Sequence, residues 1–418
     1  MLRSGRLRRL ARARVLFAAL LMSSVGAIAT AAAEPYIPSD DDQVLARVPV
    51  ARSGEWAVLR DLRRKLDREP RDLATAVDLA GHYLQQGRAE GEPRFAGYAQ
   101  AALTPWWRMA EPPLEVRVLR ATILQNRHDF EAALLDLDGV LRVAPRHRQA
   151  RLTRATILRA QGRAGDAAAE CAALLTMTDG LVVTTCLADA VGLQGGRARQ
   201  AHDGLLRAYE SADATAGDAD PRLRLWALTV LAEIAVRLGD APAAERHFRA
   251  ARALGIRDSY LLAAETDFLL DQGRPAEARA LLLGAEASDG ALLRLAIAER
   301  RLGDPGADVR IAELCRRFAA ARARSDDGSI PDAGALHLRE EARFALDLLG
   351  DASAALNLAE RNWRSQREPA DARLLLESAR AAGEPAAARP AIDWIDETGI
   401  EDVRLHPLAA SLRPAPAG

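Results

Sequence analysis

Residues 114–170 read LEVRVLRATILQNRHDFEAALLDLDGVLRVAPRHRQARLTRATILRAQGRAGDAAAE. One word occurs in that stretch twice. Arg120-Ala121-Thr122-Ile123-Leu124 returns as Arg154-Ala155-Thr156-Ile157-Leu158, a spacing of 34 residues. Alanines keep the same phase at Ala133, Ala167 and Ala201, then at Ala244 and Ala278, and later at Ala355. Turn glycines echo it, as Gly239 with Gly273 and Gly350 with Gly383. Between glycines the apolar residues recur at three and four, the helical period. Leu261, Leu262, Phe268 and Leu269 precede Gly273, and Ala276, Ala278, Leu281 and Leu282 follow it. A fixed period of this length marks stacked units, none of which can bury its apolar face alone.

The phase gives nine units, beginning near Leu73, Leu114, Arg148, Val182, Leu225, Ser259, Leu293, Leu336 and Ala370. The first carries an insertion around 90–94 and the seventh one around 325–335. Each unit is expected to turn near Gly87, Asp129, Gly162, Gly196, Gly239, Gly273, Gly303, Gly350 and Gly383 in order. Residues 54–72 hold a capping helix, since Trp56, Leu59, Leu62 and Leu66 share one helical face. Residues 34–53, with Pro35, Pro38, Pro49 and three consecutive aspartates, read as an extended lead-in. Residues 211–224 form either a long inter-repeat loop or a hinge. The tail 405–418, with Pro407, Pro414 and Pro416, is expected to be disordered.

These residues resemble the tetratricopeptide repeat family, whose 34-residue pattern places small residues at helix crossings and a glycine at the turn. In 259–292 the matching residues are Leu262, Thr266, Leu269, Gly273, Ala278, Leu282 and Ala285. In 225–258 they are Leu228, Ala232, Ala235, Gly239, Ala244, Phe248 and Ala251. In 114–147 they are Ala121, Leu124, Ala133, Leu137 and Pro145, with Asp129 at the turn; the first unit carries Ala80, Tyr83 and Gly87. The resemblance covers about residues 73–404. It implies an all-α, right-handed α-solenoid of about nine helix pairs, and a function in protein binding rather than catalysis.

The resemblance also implies a concave groove lined by the first helix of each pair. Carried over residue by residue, its positions are Thr122, Gln125 and Asn126; Thr156 and Arg159; Trp226, Thr229, Glu233 and Arg237; Tyr260, Asp267 and Asp271; and His337, Glu340, Phe344 and Asp347. In the later units Glu233, Asp267, Asp271, Glu340, Asp347 and Asp371 stand against Arg237 alone, so either an acidic half-groove with a basic client segment is expected, or acids paired within the solenoid that attract nothing. The family's carboxylate clamp needs lysines and an asparagine, whereas threonine stands at Thr122 and Thr156 and Lys65 is the only lysine. No such clamp is expected. Trp106 and Trp107 are a further candidate contact.

The chain has 418 residues, 49% hydrophobic, 28% charged and only 4% aromatic, which suits packed alanine-rich helices. Six arginines between Arg3 and Arg14, an apolar run at 15–29 and Ala31-Ala32-Ala33 before Glu34 read as a cleaved export signal over 1–33. An uncleaved inner-membrane anchor is the alternative. Loss of 1–33 takes the formal charge from −1 to −7, which does not suit nucleic acid. No later apolar run is long enough to span a bilayer, so no stable membrane insertion is expected after cleavage. The expected setting is the periplasm, and the expected partner another envelope protein or peptide segment. An assembly or biogenesis factor for an envelope complex is the nearest alternative.

No G-x-S-x-G, H-E-x-x-H or phosphate-binding glycine loop is present, so neither an enzyme nor a cofactor is expected. The different class left open is a metal carrier or enzyme with an unrecognised site. His337 and Glu340 lie three apart on one expected helix, a spacing that could share a metal, though a solvated face accounts for both. Cys171 and Cys186 fall on successive helices; two buried thiols are favoured over a bridge because disulfide geometry is demanding.

Overall fold

The computed structural model describes residues 54–215, 220–285, 287–326 and 338–413. The expected signal, the lead-in, His337 and the prolines at 414 and 416 lie outside them. Among the described residues every regular element is helical. Helix α1 (Gly54–Arg68) is the cap, followed by α2 (Leu73–Glu90), α3 (Arg94–Ala102), α4 (Thr104–Trp107), α5 (Leu114–Asn126), α6 (Phe130–Val143) and α7 (Arg148–Ala160). Then come α8 (Ala164–Ala172), α9 (Gly180–Val191), α10 (Ala198–Thr215), α11 (Pro221–Arg237), α12 (Ala241–Ala253), α13 (Ser259–Asp271) and α14 (Pro275–Leu282). The last are α15 (Asp289–Leu302), α16 (Gly306–Asp326), α17 (Leu338–Phe344) with a π turn at Ala345–Leu349, α18 (Ala352–Trp363), α19 (Pro369–Ala382), α20 (Arg389–Thr398) and α21 (Leu405–Leu412). With α1, α4 and α21 set aside, these helices make nine pairs in sequence order, each packed on the next. This is a TPR-like all-α solenoid, as the 34-residue phase implies.

The local causes are legible. Asp72, Asp129, Asp220, Asp240, Asp258, Ser288 and Asp351 cap helix N-termini, each accepting a backbone N–H of the first turn. The repeated word has the same burial twice. Ala121 and Ile123 are fully buried, and so is Ile157, with Ala155 nearly so. Both threonines return their hydroxyl to their own helix, Thr122 to Val118 O and Thr156 to Leu152 O, at 3.0 Å each. Ala133, Ala244, Ala278 and Ala355 have no exposure, so a larger side chain there meets a packed neighbour. Ala244→Phe and Ala278→Phe are each expected to cost about 1–3 kcal/mol by overpacking, read from urea denaturation. Unchanged midpoints would remove these alanines from the helix crossings.

At the turns, Gly162, Gly196, Gly239, Gly273, Gly303, Gly350 and Gly383 all have φ between 67° and 77°. That conformation is open to glycine and strained for other residues. In the second pair His128 takes the position with φ 59°, the one positive-φ non-glycine among the described residues. The strain costs about 1–2 kcal/mol.

Five expectations need correction. The first turn is at Gly91 (φ 69°), because α2 runs through Gly87 and ends later. Pairs four, five and seven start at Gly180, Pro221 and Asp289, earlier than Val182, Leu225 and Leu293. Proline and aspartate are tolerated in a first turn, where backbone N–H groups have no helical partner anyway. For the same reason Pro407 does not prevent α21, whose Leu405, Leu408, Ala409 and Leu412 are buried against the ninth pair. Cys171 and Cys186 are joined by a disulfide, with Cα atoms 5.5 Å apart. Trp106 is buried and Trp107 packs beside it with Trp56 and Leu66, so both indoles serve the N-terminal core.

In an ordinary repeat array each unit touches only its neighbours. This solenoid is wound more tightly. Arg88 at the end of α2 pairs with Asp258 at 2.7 Å, and Ser259 donates to Arg88 O. Pair one therefore meets pair six. Arg367 N donates to Ala160 O, Thr398 O accepts from Gly195 N, and Val403 N donates to Arg237 O, all between 2.8 and 2.9 Å. The ends of early first helices thus meet loops and helix ends of late pairs, and the second superhelical turn rests on the first.

Candidate functional site

The inner wall of this winding is built from the first helices. Only some of the groove positions face solvent there. Asn126, Thr156 and Tyr260 are exposed, while Thr122, Gln125 and Glu340 are half-buried. Phe344 is a core residue, edge-on to Phe318 with centroids 5.5 Å apart, and Thr229 is buried. Trp226 is half-buried among apolar neighbours of the central core. These three do not line a groove: the tight winding turns their faces into helix contacts.

Tyr260 is 44% exposed as a residue. Desolvation, reinforced by the Glu233 carboxylate beside it, pushes its hydroxyl well above the ordinary value. The hydroxyl donates to Glu233 Oε1 at 2.7 Å. Burial and the nearby Asp189 in turn raise the Glu233 carboxyl. Arg159 lies on the same wall, 3.2 Å from Asp189 and 2.9 Å from Glu368 of the ninth pair. Burial opposes its charge, but Asp189 and Glu368 more than offset that and hold the guanidinium well above its usual range. Arg237 is buried at the contact between turns, where desolvation lowers it.

The expected acidic half-groove is compensated from within. Asp267 accepts from Arg294 at 2.7 Å and from Arg343 at 2.9 Å. Burial disfavours its charge, but these two arginines hold it well below the carboxylate range. Asp271 meets Arg373 at 2.6 Å, Asp347 meets Arg343 at 3.6 Å, and Asp371 meets Arg339 at 2.6 Å. Most of these arginines arrive from other pairs, which counting along one helix face does not reveal. Asp267, Asp271, Asp347 and Asp371 therefore belong to an ion-pair network among pairs six to nine.

Sequence reasoning missed the partners in that network: Asp189, Arg294, Arg339, Arg343, Glu368 and Arg373. The lone signal was the arginine content of the later first helices. Among the described residues no group of three or more His, Cys, Asp or Glu is arranged for a metal ion, and no helix is long and apolar enough to cross a membrane.

No family profile matches the chain, and no curated protein matches it. Among solved structures it is similar to a tetratricopeptide repeat protein from Parabacteroides merdae, at 15% identity over 58% of this chain and 92% of that one, with a TM-score of 0.39. It is also similar to a chain of the APC/C hetero-tetramer Cut9–Hcn1, at 12% identity over 86% of both chains, TM-score 0.38. A third is PilW, a widely conserved type IV pilus biogenesis factor, at 21% identity over 55% of this chain and 99% of that one, TM-score 0.29. At these scores the fold rests on the helix pairing itself.

Proposed function

We propose that the chain is a protein-interaction scaffold of the bacterial envelope, binding its client through exposed residues of its first helices. The observation that carries this is Tyr260, an exposed aromatic side chain on α13, with Thr156 exposed on α7. Aromatic side chains with a polar tip are favoured contact residues. A basic segment would have to replace Arg343 on Asp267 and Arg373 on Asp271, so a client of that kind competes with the ion pairs that join pair six to pairs eight and nine.

Export supports the same reading. The basic start, apolar run and alanine cleavage site at 1–33 suit it, and the Cys171–Cys186 bridge suits an oxidising compartment. Sequencing of the protein from a periplasmic extract is expected to begin at Glu34; full-length chain in the membrane fraction would favour the uncleaved anchor. A photo-crosslinking residue at Tyr260 or Thr156 is expected to capture one client from envelope extract. The same residue at Leu135, 69% exposed on α6, is not. Equal capture at Leu135, or none at Tyr260 and Thr156, would move the client elsewhere. Stoichiometric zinc or copper in the purified protein would favour a metal carrier instead.

A further inference from the structure

A second feature lies where the two turns meet, apart from Tyr260 and Thr156. The turns of pairs two and three and the loop from α18 to α19 enclose a cleft of about 560 Å³. Four guanidiniums line it, those of Arg127, Arg163, Arg364 and Arg367, together with the imidazole of His128. Arg163 is taken by Asp166 at 2.7 Å. Arg127, Arg364 and Arg367 have no carboxylate partner among the described residues, and Arg367 Nε donates only to Trp363 O at 3.4 Å. The two acids on the lining make no ion pair with them: Asp129 caps α6 through Ala132 N, and Glu131 stands exposed.

The contrast with the rest of the interface is what matters. Elsewhere between the turns, arginines meet carboxylates: Arg159 with Glu368 and Arg88 with Asp258. Here closure of the winding gathers more cations than anions, four arginines against Asp129 and Glu131. Burial alone lowers Arg127, with no acid raising it. Arginine at a helix C-terminus favours the helix dipole, and Arg127 and Arg364 both follow helix ends. That explains one arginine per helix, not three arginines and a histidine on one cleft. His128 adds a second sign. Where the eight other turns use glycine at positive φ, this one keeps a strained histidine, whose Nδ1 lies 3.3 Å from Gln366 Nε2 across the contact. Strain retained against an easy alternative is a mark of use.

We propose that this cleft is an anion site, taking a ligand that carries a phosphate or carboxylate group between Arg127, Arg364 and Arg367. Guanidinium forks match both oxyanions, and the volume falls within the range of small-ligand pockets. The walls come from pairs two and three on one side and from residues 364–367 on the other, so the ligand binds the closed winding and stabilises it by mass action.

The test uses the full mature chain with inorganic phosphate in one arm and a short aspartate-rich peptide in the other, at constant ionic strength set with chloride. Calorimetry and thermal unfolding are the readouts. At least one arm is expected to bind and to raise the melting temperature beyond the chloride control. The arm that binds more tightly identifies the source of the oxyanion. Arg364→Gln/Arg367→Gln, at exposed positions, is expected to fold normally and to weaken binding at least tenfold. His128→Gly, which relieves the backbone strain, is expected to keep or raise stability in buffer while weakening binding. Failure of both arms with the wild type, or equal binding by the double variant, overturns the proposal. Neither result bears on the client contact at Tyr260 and Thr156.

Discussion

Asp371→Ala is expected to lower stability by about 3–5 kcal/mol, the scale for removing one member of a buried ion pair. Asp371 is 2% exposed. Its carboxylate accepts from Arg339 Nε and Nη2 at 2.6 and 2.8 Å, from Asn362 Nδ2 at 2.7 Å and from Glu368 N at 2.9 Å. Alanine strands those donors and breaks the capping box of α19. Glu368 still holds Arg339 at 2.7 Å, which limits the loss. Urea denaturation measures it, and a cycle with Arg339→Ala should show the double variant losing less than the two singles together. A loss below about 1 kcal/mol would put the network in the class of weak surface pairs. Acid should act on the same region. Burial opposes the Glu368 charge, but Arg159 and Arg339 bring its pKa down to about 2. A depressed carboxyl contributes stability above its unfolded value and loses it as pH falls toward the folded one. The contact between turns should therefore weaken as pH drops through about 4 toward 2.

Removal of the Cys171–Cys186 bridge is expected to cost about 3 kcal/mol by the loop-closure account for a loop of this size. The cysteines are 15 residues apart in sequence. Both are buried, among Leu174, Val183 and Ala155, and the bridge ties α8 to α9. The Cys171→Ala/Cys186→Ala variant should melt earlier than the wild type, and a reductant should shift the wild type but not the variant. Thiol titration of the unreduced native protein should find one reactive group, the exposed Cys315. Three reactive thiols without reductant would refute the bridge.

The helix pairs were legible because each unit repeats its own local rules. Ala121 and Ile123 recur as Ala155 and Ile157, and periodicity needs no knowledge of the far chain. Starts were legible at Leu73, Leu114, Arg148 and Ser259, where the helical pattern begins without an early breaker. They were missed where Gly180, Pro221 and the Asp289-Gly290 step look like loop but occupy a first turn. The site was legible only by halves. Phase tells which face of a helix looks inward, and Thr156 and Tyr260 do. It does not tell what they meet. Asp267 and Arg343 are 76 residues apart, Asp271 and Arg373 are 102 apart, and His128 and Gln366 are 238 apart. Those meetings depend on how much each pair rotates on the last, a small angle that accumulates and leaves no mark in any one repeat.

The stacked turns also order events in time. A chain that emerges N-terminus first can form pairs one to five by local contacts, which are the fast ones. Glu368, which closes on Arg159, follows about two hundred residues later. At roughly 5–20 residues per second that delay is on the order of 10–40 s. Through that interval Arg159 holds Asp189 but lacks Glu368, and the bond from Arg367 N to Ala160 O is missing as well. An exported chain that emerges in the same order would pass through the same open state before its last pairs dock.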